Sequence, residues 1–215
     1  MATYMGTMGL SARSYRNIIG ANDRVNVGVI GFSDRFRSSL LPSFVNLQKE
    51  LNFDMVAVSD IWKKRREDGQ AYLKQQLGHD ITACVNNEAL YDLKNIDAVI
   101  ISTADFQHAL HTVEAVKAGK DTYTEKPLAE TMEDARAVLK AVKDSGKIVQ
   151  IGSQRRSGAT YKAAYDFIQE GKFGPIVMVE LIWNVNQPGR WRRPSLVPQL
   201  REEDTDWKRF LLNRP

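Results

Sequence analysis

From Val25 onward the chain alternates short apolar, β-branched runs with amphipathic helical patterns, and that order restricts the fold more than any other feature. The runs are residues 25–30, 55–58, 98–102, 122–124 and 148–151. Between them, Met132, Ala135, Val138, Leu139 and Val142 recur at helical spacing. Thr131 takes the N-cap position, Glu133 and Asp134 the first turn, and Gly146 the position just past the end. Leu110, Val113 and Val116 repeat the pattern ahead of Gly119. Strands that are apolar on both faces need cover on both, so helices between them imply a parallel sheet in a doubly wound α/β domain.

Smaller features refine this. "ACVNNEALYD" (83–92) supplies a weaker third strand and a short helix. Pro42, inside the pattern Phe36, Leu40, Phe44, Leu47, predicts a kink or a late helix start. After Gly152 the pattern changes. A helix carried by Tyr161, Ala164, Tyr165 and Ile168 and closed by Gly171 leads to a longer strand over 176–185, then to a polar tail with prolines. Three regions are expected: an N-terminal arm or signal remnant (1–24), the doubly wound domain (25–152) and the start of a second, α+β domain (153–215).

A composition 43% hydrophobic and 26% charged excludes disordered and collagen-like classes for the 215 residues. The net charge of +4 is uneven, because residues 172–215 carry eight Lys/Arg against five Asp/Glu. "KKRR" (63–66) and "GRWRRP" (189–194) are the basic clusters, explained by a solvated helix face and by a loop over a cleft, and nucleic acid is not expected as a partner. Cys84 is expected as a small buried residue. His108 and His111 share a helix without a third ligand in spacing, so no metal is expected. No apolar run reaches the length of about 18 residues that a membrane span requires.

In a doubly wound sheet the ligand lies beyond the carboxyl ends of the strands, where strand order reverses. Each strand here ends in polar groups: Gly31, Asp60, Thr103 to Asp105, Glu125 with Lys126, and Gln154 with Arg155 and Arg156. The turn Gly31-Phe32-Ser33-Asp34-Arg35-Phe36 follows its strand as a dinucleotide fingerprint does. Asp60 stands where a carboxylate can take the adenosine ribose. Ser33 and Phe36 replace the later glycines. Phe36 must turn into the sheet or push the helix outward, and the turn by itself leaves a working and a vestigial site both open.

"YTEKPLAET" (123–131) is more specific. With "VGVIG", "VSD", "AVIISTADFQHA", "AGKDTYTEKPLAET", "VQIGSQRRS" and "GKFGPIVMVE", the chain resembles the glucose-fructose oxidoreductase, inositol dehydrogenase and rhizopine-catabolism (Gfo/Idh/MocA) family over about residues 25–215. The resemblance implies a Rossmann domain for NAD, with NADP as second choice, and a sugar or polyol substrate. Gly31, Phe32, Ser33, Asp60, Thr103, His108, Glu125, Lys126 and Gln154 are then cofactor contacts. Lys126 is the catalytic residue, and Lys126 and Arg156 meet the substrate. Glu125 would hold the nicotinamide ribose, and Pro127 would follow a cis bond. Around His108 the chain departs from the family at Ala104, Phe106 and Gln107. Asp60 favours NAD by repelling a 2'-phosphate, whereas the bases at 63–66 soften that preference.

The same resemblance implies an open antiparallel sheet downstream that brings an aspartate and a histidine to catalysis. On that basis the chain is expected to be a fragment of a homo-oligomeric, hydride-transferring enzyme, cytoplasmic as given and exported by a twin-arginine signal at full length. Two other functions remain open. One is the family's NAD-dependent glycoside hydrolysis, and the other is a non-catalytic nucleotide- or sugar-binding module.

Overall fold

A computed structural model describes residues 24–215 other than 173, 187, 190–192, 213 and 215. The N-terminal arm and the centre of the "GRWRRP" loop therefore lie outside the described residues. Six strands, β1 (Val25–Ile30), β2 (Phe53–Ser59), β3 (Thr82–Cys84), β4 (Ala98–Ile101), β5 (Asp121–Glu125) and β6 (Val149–Gly152), form one parallel sheet in the order β3-β2-β1-β4-β5-β6. Strand order reverses between β1 and β4. The helices are α1 (Leu41–Leu47), α2 (Lys63–Leu77), α3 (Asn87–Tyr91), α4 (His108–Lys117), α5 (Met132–Ser145), α6 (Ala159–Gln169) and α7 (Trp207–Leu211). None of them is long and apolar enough to cross a membrane.

The core has two layers, as a sheet covered on both faces requires. On one face Val27, Val29, Met55 and Val58 pack with Phe32, Phe36, Leu41, Phe44 and Leu73. On the other, Ile30, Ala57, Val99 and Ile101 pack with Cys84, Leu90, Ile96 and Ala115. Thr131 caps α5 by accepting the Asp134 amide at 3.1 Å, and Gly146 ends it with φ +64°. Met132 and Leu139 of the α5 pattern stay exposed, as does Leu47.

Phe36 answers the question posed by its place in the turn. It is fully buried, 5.8 Å from the Phe32 ring, and the backbone gives way around it. Residues Phe36–Leu40 form a π turn in which the Leu41 amide donates to the Phe36 carbonyl, and the α-helix starts late, with Pro42 in its first turn. The extra residue in that turn widens it. Gly69 of α2 makes the matching concession, since a Cβ there would lie 2.8 Å from Cγ of Phe32.

One expectation needs correction. Residues 176–185 form no strand: their described backbone has no regular structure, and Val177 and Leu181 are 93% and 91% exposed. A strand exists only through a partner, and none of the described strands lies beside this stretch. Helix α6 likewise buries no residue, leaving Tyr161 and Tyr165 exposed.

Gly69→Ala should lower the urea midpoint although Ala is the better helix former by about 1 kcal/mol, because the Phe32 ring has no room to retreat. A raised midpoint would show that the ring can move. Val177→Glu with Leu181→Lys should reduce self-association of the purified chain in light scattering, since a long exposed apolar segment templates aggregation.

Candidate functional site

The carboxyl ends of β1, β2, β4 and β5 meet at one rim. Gly31, with φ +85°, turns the chain immediately after β1, and its amide donates to Ser59 O at 2.8 Å. Ser33 directs its hydroxyl inward, 2.7 Å from the Ser102 hydroxyl, where it also accepts the Phe36 amide at 3.1 Å. A serine so engaged leaves the outer side of the turn to the backbone. Phe32 puts its ring in the core, so only its main chain belongs to the rim.

Asp60 ties two segments together. One oxygen accepts the Phe32 amide at 3.0 Å and the other the Trp62 amide at 2.9 Å. Burial pushes its carboxyl above the usual range, against the pull of those two amides and of Arg65 and Arg66. The "KKRR" cluster, expected as a solvated face, is partly spent here: Arg66 donates to Asp60 O at 2.8 Å and Arg65 to Phe32 O at 3.0 Å. Beside them lies a cavity of about 300 Å³ lined by Asp34, Arg37, Trp62, Lys64, Arg65 and Arg193, among others. Partial burial raises Asp34, but Arg65, Arg37 and Arg193 outweigh it and hold the carboxyl below its ordinary range.

Past β4, the Thr103 hydroxyl oxygen is buried and has no hydrogen-bond partner among the described residues. His108 is buried, with Nδ1 2.7 Å from Pro127 O and Nε2 3.3 Å from Thr103 O, so its ring joins the loops after β4 and β5 and does not open to the rim. The Lys126–Pro127 bond is cis. Glu125 is 3% exposed and accepts from Arg35 Nε at 2.9 Å and from the Lys126 amide at 3.2 Å. Lys126 is exposed at the same end of β5. Gln154 and Arg156 are also exposed, in the segment past β6. His111 lies elsewhere, bonded to Asn87 and Glu114.

The structure adds two features to the residues picked out above. Arg35 joins Glu125 across the end of β4, and its signal in the sequence was a cation beside Asp34 in the turn after β1. The tail also returns to the rim, in a way no local pattern announces. The Asp206 amide donates to Ile61 O at 3.2 Å, Arg209 grips Glu88 at 2.6 and 2.7 Å, and Gln107 donates to Phe210 O at 2.7 Å.

Comparison with known proteins agrees with this architecture. The model of the GFO_IDH_MocA oxidoreductase family, NAD-binding Rossmann fold, matches residues 25–153. The chain is 32% identical over 157 residues to 1,5-anhydro-D-fructose reductase of Ensifer adhaerens, covering 68% of this chain and 46% of that protein. It is 32% identical over 194 residues to inositol 2-dehydrogenase of Salmonella typhimurium (strain LT2), covering 88% and 53%. The chain thus spans about half the length of these relatives. Among solved structures, the WlbA dehydrogenase of Bordetella pertussis, in complex with NADH and UDP-GlcNAcA, superposes with a TM-score of 0.61 at 22% identity, over 70% of this chain and 43% of that one. With its parallel sheet, reversed strand order and family match, the chain belongs to the Gfo/Idh/MocA oxidoreductase family.

Proposed function

We propose that this chain binds NAD(P) at the β1/β4 reversal and serves an oxidoreductase that moves a hydride between a sugar or polyol hydroxyl and the nicotinamide. The observation that carries this is the buried Thr103 hydroxyl, without a hydrogen-bond partner among the described residues and set between the Gly31 turn and the Glu125–Lys126 end of β5. An enclosed hydroxyl without a partner costs stability unless a ligand completes it. The residues fit such a ligand. Gly31, Phe32 and Ser33 offer main-chain groups to the phosphates. Asp60 retains lone pairs for the adenosine ribose after accepting two amides. Thr103 and Gln154 complete the cofactor contacts, and His108 contributes by holding the loops on either side.

The same geometry supports NAD as cofactor with NADP admitted. Asp60 repels a 2'-phosphate, while the arginines and lysine of the adjoining cavity attract one. Bound there, the nicotinamide supplies the hydride donor or acceptor. Glu125 would hold its ribose, and the Lys126 ammonium would stabilise charge on the substrate oxygen and carry its proton. Arg156 is the further substrate contact. Residues 25–152 act as the nucleotide domain and 153–215 as the start of the substrate and oligomerisation domain, consistent with the bare faces of α6 and of residues 176–185.

Calorimetry with NAD and NADP should show binding of both. Gly31→Val should abolish it, because a side chain there meets Ser102 O at 2.8 Å in a backbone conformation that L residues rarely adopt. Absence of heat with either nucleotide, on folded protein, would refute the proposal. Arg65→Ala should weaken NADP by about tenfold more than NAD, the loss of one charge-assisted contact; equal loss would place the 2' position elsewhere. The 215-residue chain should give no sugar-dependent NADH, since among the described residues the other proton carriers near Lys126, Glu125 and His108, are held by Arg35 and by two carbonyls. Turnover would require His108, His111 or Glu125 to leave its present partners.

A further inference from the structure

The ion pair between Arg35 and Glu125 joins segments 90 residues apart. Strand order is β1-β4-β5, so a side chain that starts in the turn after β1 and ends on the last residue of β5 must reach over the carboxyl end of β4. Glu125 is sealed in this contact, with 4% of its side chain exposed, while Arg35 keeps 37% exposed. The neighbouring Lys126 is exposed and adds a second cation to this end of β5, and among the described residues its ammonium forms no ion pair. Formal charge at this end of the crevice is therefore two positive and one negative. Without Arg35 the balance would be one of each.

We propose that Arg35 biases the site toward the reduced nicotinamide, so that the protein retains NAD(P)H over NAD(P)+. This rests on the reading above that Glu125 and Lys126 receive the nicotinamide end. The oxidised ring carries a positive charge and the reduced ring carries none, while the rest of the cofactor is the same in both. The ratio of the two affinities therefore reports the electrostatic potential where the ring lies. A bare Glu125 would favour the cationic ring. Arg35 cancels that attraction, and Lys126 then makes the local field repulsive to it. Such a field would shift the bound couple toward its reduced form and would make the bound reduced nicotinamide the weaker hydride donor.

The test measures dissociation constants for NAD+ and NADH, and for the NADP pair, by calorimetry and by NADH fluorescence. It compares the purified chain with Arg35→Met, Arg35→Lys and Glu125→Gln. The unaltered chain should bind the reduced form more tightly. Arg35→Met should lower the ratio Kd(NAD+)/Kd(NADH) by about tenfold, a change of about 30 mV in the potential of the bound two-electron couple. Arg35→Lys should keep the ratio, and Glu125→Gln should raise it. A residue that merely braces the turn would weaken both forms equally, and an unchanged ratio in Arg35→Met overturns the proposal. Failure of the unaltered chain to bind either form would instead refute nucleotide binding itself.

Discussion

Gly31 lacks a Cβ where one would lie 2.8 Å from Ser102 O and 2.9 Å from the Thr103 methyl. That close approach lets the turn after β1 lie against the end of β4, and most of the rim is arranged around it. It brings Ser33 to Ser102 and sets the Phe32 amide over Asp60. It also aims Arg35 toward β5. The later glycines of a dinucleotide fingerprint are replaced without loss of this geometry. Ser33 spends its hydroxyl on the protein, and Phe36 is housed by a π turn and by Gly69 of α2. The turn has exchanged one way of bringing helix and sheet together for another.

Charge is distributed along the rim in a graded way. At the β2 end, Asp60 is fixed by two amides and backed by a cavity whose cations outnumber its carboxylates. At the β5 end, a buried carboxylate is matched by Arg35, with Lys126 left to face outward. Two carboxylates thus stand at opposite ends of the rim, each with cations beside it. The tail from Asp206 to Phe210 crosses between the loops after β2 and β4, so part of the region after the nucleotide domain helps to shape its mouth.

Much of this was legible along the chain. The five apolar runs lie within a residue or two of their strands, and Thr131 and Gly146 bound α5 as capping chemistry requires. Asp60, Thr103, Glu125 and Lys126 all fall at strand ends. The departures share a cause in that each depends on what lies opposite. Residues 176–185 have the composition of a strand but no partner among the described residues, and the ring of His108 meets two carbonyls that no local pattern points to.

Apolar period and the spacing of glycine and capping residues are local properties, so the sequence alone determined the doubly wound class, the approximate strand limits and the rim on which polar residues gather. Pairing across the sheet is not local. Only the tertiary structure decided that Arg35 meets Glu125, that Arg65 and Arg66 turn back to the Phe32 and Asp60 carbonyls, and that Phe36 is accommodated by a change in the backbone. These outcomes depend on distances between segments up to 90 residues apart, which strand order and packing set and no window of sequence contains.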